Sequence, residues 1–430
     1  MAELEESIKI LSQHQVSASP PTSSFSLPLT FFDLAWLHAG PVHRLFFYSF
    51  PHSTSHFLSS SLPSLLSSLS LSLHLYPPLA SHLSFSDHHP LLLLSSAVTL
   101  TIAESTANFH QLISDHPKPT SLFKPLIPSL DPNQRSLMAL QVTLFPFHGL
   151  CLAIAVDHVA CDGSSSMQFM KSLAAASLVG TPPVFDRSSV PDPSNTLYST
   201  YLHHWNKAKL EQEPRKSSPD EDLLMATFTL GRDHIQKLKL DLHCSTFVAS
   251  SAYVWVCMIK ARAWPEDRTA HFICAVDCRA RLRPPLSPAY FGNCLIPCFV
   301  ELKVRELIGE DGVMAAAKAI KAKVEELGEN GVLSGAEEMM EKLQVVLMEQ
   351  PLSVSGSPKF RVYDTEFKDW GKPVKVEVAS IQKTGSISMA ESRDEDGGVE
   401  IGLALSLPLM HEFSSHFNAG LKFDSLQKTL

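Results

Sequence analysis

The chain of 430 residues lacks any apolar run of about 18 or more, so no membrane-spanning helix is expected. The nearest stretch, Leu58 to Leu75, is interrupted by serines at positions 59, 60, 61, 64, 67 and 68. Positive charge is in short supply. Lys and Arg number 35 against 44 Asp and Glu, a formal net charge of −9, which excludes the basic footprint of a nucleic-acid protein. An anionic small ligand stays open, because a local basic patch suffices for one. Eight cysteines are too few for a disulfide framework. Cys274, Cys278, Cys294 and Cys298 form two C-x3-C pairs, but their flanks read as strands, where i and i+4 share a face. Structural zinc pairs sit on tight turns, so no metal site is expected. The start, MAELEESIKILSQ, lacks the basic and apolar regions of a signal peptide. A soluble, reduced, cytosolic monomer is expected.

What is present is enough for two packed domains of about 200 residues each. Residues 15 to 28 are rich in Ser and Pro and read as an irregular arm. TFFDLAWL (from Thr30) and RLFFYSF (from Arg44) read as strands. Phe57 to Leu75 spaces its apolar residues for an amphipathic helix. AVTLTIAES (from Ala97) reads as one strand, and ALQVTLFPFHGLCLAIAVDH (from Ala139) as two. A helix follows in SSSMQFMKSLAAAS, with a serine capping its start. Pro, Ser and charge then accumulate between Gly180 and Leu223. The boundaries read as a first domain at 1–190, a crossover at 191–223 and a second domain at 224–430. Strands and helices mix on both sides, including a long helix closed by Gly331 and a late strand in VEIGLALSLP. The class is α/β, with two mixed-sheet domains.

No G-x-S-x-G elbow, P-loop, G-x-G-x-x-G or H-E-x-x-H occurs. What stands out is AVDHVACDGSSS, where an apolar strand runs into a turn carrying His158 and Asp162 before a helix begins. A histidine near neutral pKa suits a general base for a hydroxyl. Asp162, four residues on, can orient the loop through a salt bridge, and Gly163 permits a tight backbone. Among 20 histidines, His158 alone has Asp at the fourth position after it. Chance gives about one such match, so the spacing alone favours a structural histidine closing a strand. Asp157 beside it is expected to raise the His158 pKa where the side chains approach.

Other stretches place this motif in context. LPLTFFDLAWL with PVHRLFFYSF (Leu27 to Phe50), STFVASSAYVWVCMIKAR, VDCRARLRPPL, YFGNC (Tyr290 to Cys294) and GSISMAESRDEDGGVEIGLAL follow one another along nearly the whole chain. With H-V-A-C-D-G and YDTEF…WGKP, they resemble the plant BAHD acyl-CoA-dependent acyltransferases. The resemblance is to the branch that acylates anthocyanin, flavonoid and other phenolic glucosides, with a malonyltransferase-like look. One motif departs from the pattern. Where the branch reads Y-D-x-D-F-G-W-G-K-P, this chain has Glu366 for Asp and Lys368-Asp369 for one Gly. Altered loop geometry is expected, with a position tolerating positive φ lost.

The resemblance implies a chloramphenicol-acetyltransferase-like fold with a channel between two domains. It implies His158 as the base, no tightly bound cofactor, acyl-CoA as co-substrate and a phenolic glycoside as acceptor. It implies Asp162 turned away from the channel and paired with Arg279 or Arg281. Trp370 is the oxyanion candidate. Ser245, Thr246, Ser386 and Ser388 are the CoA candidates, with Lys260, Arg262, Arg279, Arg281 and Arg283 as cations for its phosphates. Phe31, Phe32, Trp36 and Phe291 are candidates for the acceptor mouth. Malonyl is the favoured acyl group, with hydroxycinnamoyl as the alternative, on the same or another alcohol or amine. A hydrolase using His158 needs a nucleophile, for which Cys161 is the nearest group. A non-catalytic binding relative is the other rival.

Overall fold

The computed structural model of the chain describes residues 8–22, 25–86, 89–94, 97–192, 195–211, 222–329 and 331–426. Two large sheets and one small one carry the described strands. The first sheet runs Ile8–Val16, Val98–Ser105, Met138–Phe145, Gly149–Asp157, Pro41–Ser49, Lys375–Val378. Its Met138–Phe145 strand is buried along its whole length, as in a strand covered on both faces, and its two polar side chains are paired, Gln141 Nε2 donating to Pro125 O and Thr143 Oγ1. The second sheet runs Leu295–Lys303, Thr269–Asp277, Leu352–Ser355, Ile387–Glu391, Val399–Leu405, Leu224–Leu230, Lys118–Pro119. Helices Leu62–Leu75 and Gly163–Ala175 pack together beside the first sheet. Thr246–Arg262, Gly312–Glu329 and Leu407–Leu426 form the helical layer of the second.

The Leu62–Leu75 helix buries Leu62, Leu65, Leu69, Ser72 and Leu73, the stripe its spacing foretells. The segment from Thr30 does not form the expected strand. Phe31–Leu34 is one helical turn, because the Thr30 backbone N–H and hydroxyl both donate to Asp33 Oδ2 at 2.9 Å. Residues 15 to 28 are not wholly irregular either, since strands end at Val16 and run from Ser26 to Pro28. The crossover region contains a helix, Leu197–Glu211. Tyr201 on it sets its ring 5.7 Å from Phe31 and donates its hydroxyl to Ala336 O at 3.0 Å. Residues 1–7 and the stretch 212–221 lie outside the described residues.

Each half lends the other a strand. Lys375–Val378, from late in the chain, pairs with Arg44 to Phe47 and edges the first sheet. Lys118–Pro119, from early in the chain, pairs with Leu224 and Met225 and edges the second. Between the two sheets lies a compact apolar cluster in which Leu45, Phe47 and Ala153 meet Met225, Ala379 and Ala404. A charged network closes the crossing. The fully buried Lys375 ammonium sits 2.6 Å from Asp115 Oδ1 and from Thr227 Oγ1, and 3.6 Å from Glu377. Lys118 Nζ reaches Glu377 from the other side at 3.6 Å, and Arg393 Nη2 reaches Asp115 at 2.6 Å.

A buried charge left without its partner is expensive, because the low-dielectric surroundings replace little of its lost hydration. Lys375→Met removes one of the two cations at Glu377 and one of the two at Asp115. It is expected to cost about 3–5 kcal/mol of unfolding free energy, read by urea denaturation. The exposed pair Lys323–Glu326 serves as the control and should move stability by about 0–1 kcal/mol when broken.

Candidate active site

His158 follows directly on the Gly149–Asp157 strand, and its backbone N–H donates to Gly40 O. The Gly163–Ala175 helix begins five residues later. Its cap is Asp162, not the expected serine. Asp162 Oδ1 accepts the Ser165 N–H at 3.0 Å, satisfying a donor that the helix start leaves open. Gly163 leaves room for the Phe360 ring, which would have to shift for a Cβ placed 2.7 Å from it.

Asp162 is turned into the protein and is 1% exposed. Its Oδ2 lies 2.8 Å from Arg279 Nη2 and accepts the Cys294 N–H at 3.3 Å. Arg279 is therefore the partner. Arg281 instead donates to Asp277 O at 3.0 Å. Burial opposes the charge on Arg279, but Asp162 and Asp277 together hold its pKa above the ordinary arginine value. Its guanidinium also donates to Tyr290 O and Gly292 O, each at 3.1 Å.

The Tyr290 to Cys294 segment thus threads along the site. Gly292 has φ +153, and a Cβ there would stand 2.4 Å from Arg187 Nη1, so both backbone and space demand glycine. Arg187 donates to Phe291 O at 2.6 Å and sets its Nε 3.7 Å from Asp33. Asn293 is the hub. Its Nδ2 donates to Asp33 Oδ1 at 3.0 Å and to His158 O at 2.9 Å. With its amide hydrogens spent, its Oδ1 must accept, and it lies 3.2 Å from His158 Nδ1. The proton is therefore on Nδ1, and Nε2 carries the lone pair. Nε2 has no protein partner among the described residues. The ring stacks on Trp36 with centroids 3.7 Å apart and planes 7° apart. The Trp36 indole N–H is buried there without a partner. Asn293, Asp33 and Arg187 were not singled out from sequence. The capping pattern Thr30-x-x-Asp33 and the YFGNC stretch were the available signals.

Burial is the largest influence on His158 and lowers its pKa below 6.5, against smaller opposing effects that include Asp162, Asn293 and Asp33. The expected rise caused by Asp157 does not occur. The Asp157 carboxylate accepts the Val159 N–H at 3.1 Å, and burial raises its own pKa. Cys161 is 3% exposed, and burial pushes its thiol well above the ordinary value, which leaves it a poor nucleophile.

The remaining candidates are not gathered around the imidazole. Trp370 stacks on Phe367 with centroids 4.2 Å apart and lies 5.5 Å from Tyr48, its indole N–H buried and unpartnered. Tyr48 is seven positions along its strand from Pro41, the partner of Asp157, which is roughly 23 Å. As expected, the position between Phe367 and Trp370 has no positive φ, and the loop's positive φ falls on the retained glycine after Trp370. Gly371 takes φ +71 and closes a tight turn with Phe367 through bonds of 3.0 and 2.8 Å, leaving Lys368 and Asp369 at the exposed tip.

Ser245 caps the Thr246–Arg262 helix, and its Oγ accepts the Val248 N–H at 3.3 Å. Ser386 Oγ pairs with Ser353 Oγ at 2.7 Å, and Ser388 lies opposite Gly402 on the neighbouring strand. Of the proposed CoA cations, Arg279 is buried against Asp162. Arg262 donates to Gln350 O, Arg281 to Asp277 O and Arg283 to Ala280 O. Cys274 faces Cys298 across adjacent strands, and no group of three or more metal-ligating side chains is positioned for an ion among the described residues.

The two mixed sheets, joined by their exchanged strands, define the chloramphenicol-acetyltransferase-like class. Vinorine synthase has the same fold, with a TM-score of 0.72 and 20% identity over 94% of this chain and 96% of that one. The chain belongs to the Transferase family of BAHD acyltransferases, whose model matches residues 6–419. It is 37% identical to phenolic glucoside malonyltransferase 2 of Arabidopsis thaliana, over 92% of this chain and 94% of that protein. It is 35% identical to coumaroyl-CoA:anthocyanidin 3-O-glucoside-6''-O-coumaroyltransferase 2 of the same organism, over 94% and 96%.

Asn293→Leu is expected to free the imidazole to take either tautomer. Turnover should fall, by less than the about 10²–10⁴-fold of losing a general base outright. Asp162→Asn should lower melting temperature and turnover together, since it leaves Arg279 buried and uncompensated. An Asp162→Asn protein that melts like wild type but is inactive would put Asp162 in the chemistry instead.

Proposed function

We propose that the protein is an acyl-CoA-dependent O-acyltransferase that moves an acyl group, malonyl in the favoured reading, to a sugar hydroxyl of a phenolic glucoside. The observation that carries this is His158, whose Nδ1 proton is held by Asn293 while Nε2 is left with an open lone pair. Its lowered pKa keeps the ring neutral at pH 7, as a base must be. The relatives named above, which transfer malonyl and coumaroyl groups, support the acyl-CoA donor and the glucoside acceptor.

Nε2 takes the hydroxyl proton as the acceptor oxygen attacks the thioester carbonyl carbon. A C–O bond forms, and the carbonyl electrons move onto oxygen. The oxyanion collapses, the C–S bond breaks, and the imidazolium returns its proton to the CoA thiolate. Ester and free CoA leave, and no acyl-enzyme is formed. Both substrates must therefore be bound together, so orientation supplies much of the rate. The buried thiol of Cys161 speaks against the hydrolase alternative.

Free-thiol release from a panel of acyl-CoAs, with and without glucoside, tests the reading. Release should require the glucoside and yield a mass shift of one acyl group. Thiol release without acceptor would mean a hydrolase, and none under any pairing would mean a binding protein. His158→Ala should lose about 10²–10⁴-fold in turnover with its fold kept. The pH profile has a defined sign. A base with a lowered pKa is active above it, so the acid limb of kcat/KM should fall below pH 6.5. A limb above that value would contradict the burial of the ring.

A further inference from the structure

Among the described residues, five Lys and Arg side chains are buried: Arg44, Lys118, Arg187, Arg279 and Lys375. Four of them have a carboxylate within 3.7 Å. Arg44 has none, and its guanidinium makes no hydrogen bond to a described residue. Its Nε is buried without a partner. Nη1 and Nη2 also lack partners but are not sealed off, so the side chain ends in an opening that its 7% exposure shows to be narrow. A charge held out of water without a counter-charge is costly, and orphaned buried donors are rare in native proteins. We propose that Arg44 receives the free carboxylate of a malonyl group and thereby sets the choice of acyl donor. The proposal rests on the acyl-transfer reading above and assigns a residue to the acyl end of the donor.

The register ties Arg44 to the base. Arg44 lies opposite Ile154 on the strand that leads to His158, and directly opposed residues share a face. Ile154 and Val156 pack into one core, Ala153 into the other. The same alternation turns His158 to the Ile154 side, the side of Arg44. Four positions separate Ile154 from His158, about 13 Å of strand. An arginine and an imidazole reaching toward each other along that face leave room for a short acyl group between them. The histidine turn is within electrostatic reach of the guanidinium. Burial pushes the Arg44 pKa down to about 10, opposed by Glu391 and then by Cys161 of that turn, so the side chain keeps its charge at pH 7.

The chemistry of the opening fits a carboxylate. Malonyl carries one a single methylene beyond the thioester carbonyl. The two open nitrogens of Arg44 present parallel N–H donors, the pairing that guanidinium and carboxylate prefer. Glu391, at the end of the Ile387–Glu391 strand, is the acid that acts on Arg44 most, yet the two form no ion pair. Glu391 Oε1 accepts the Tyr363 N–H at 2.8 Å, and Oε2 is buried without a partner. Burial raises its carboxyl above the ordinary value, and a proton held on Oε2 can be donated to a second carboxylate. An acetyl group brings no acceptor to these atoms. A hydroxycinnamoyl ring leaves the guanidinium hydrogens unpaired.

The test is donor selectivity in the full-length enzyme, with one phenolic glucoside offered malonyl-CoA, acetyl-CoA and coumaroyl-CoA in turn. Wild type should favour malonyl-CoA in kcat/KM. Arg44→Gln should lower kcat/KM for malonyl-CoA by about 10–100-fold, the worth of a hydrogen bond to a charged group. It should leave kcat/KM for acetyl-CoA and KM for the glucoside where they were. Arg44→Lys keeps the charge and should recover most of the loss. Equal losses with all three donors would make Arg44 a structural residue and overturn the proposal. A wild type that prefers acetyl-CoA or coumaroyl-CoA overturns it too, and that comparison decides the matter should Arg44→Gln fail to fold. Calorimetric binding of malonyl-CoA and acetyl-CoA without acceptor separates the proposal from the transfer reading. Binding without turnover of any donor overturns the reaction, whereas equal binding of the two thioesters by wild type overturns the role of Arg44.

Discussion

The site depends on the buried ion pair between Asp162 and Arg279. At 2.8 Å, and almost wholly out of water, it can exist only because each partner meets the needs the other leaves open. The carboxylate also caps a helix and takes the Cys294 N–H. The guanidinium also ties down Tyr290 O and Gly292 O. Two regions more than a hundred residues apart are thereby fixed to each other: the histidine turn with the helix after it, and the Arg279 loop with the Tyr290 to Cys294 segment. Because that segment cannot shift, Asn293 cannot shift, and the tautomer of His158 follows from its position.

A second buried carboxylate repeats the device on the other side of the segment. Asp33 is fully buried, receives both Thr30 donors and the Asn293 N–H groups, and faces Arg187. Each arginine neutralises one acid and grips one stretch of backbone. The cost of burying these charges is offset by the number of backbone groups they satisfy, and the result is a rigid cradle. Gly292 is the point where this crowding shows, since Arg187 occupies the space where a Cβ would be.

Much of this was legible in the sequence because it is local. The apolar run before His158, the helix after it and the stripe of Leu62, Leu65 and Leu69 follow from periodicity alone. Asp162 was readable as a loop anchor, and the two arginines as its partners, but the choice between Arg279 and Arg281 needed the path of the chain. The turn at Phe31 was misread because aromatic, β-prone residues outweighed a capping pattern that the structure uses. The roles of Asn293 and Asp33 were hidden for a different reason. Each acts on a partner more than a hundred residues away, and sequence spacing carries no trace of such contacts. The exchange of strands between the sheets is of the same kind, since Lys118–Pro119 is too short to read as a strand by itself.

The choice of a neutral amide as the partner of His158 has chemical consequences. A carboxylate in its place would stabilise the imidazolium and raise the pKa of the base. Asn293 orients the ring without that bias, while Asp33, one bond further away, acts on the imidazole through the amide. Burial then dominates and favours the neutral ring. In the proposed reaction, a base held this way has only a modest affinity for the proton it takes, and it surrenders that proton to a thiolate within the same turnover. A strongly basic imidazole would take the alcohol proton more readily but return it more slowly. The stacked Trp36 ring is compatible with both charge states, since its π face attracts an imidazolium and packs against a neutral ring. The geometry thus suits both proton transfers of the proposed reaction instead of favouring the first.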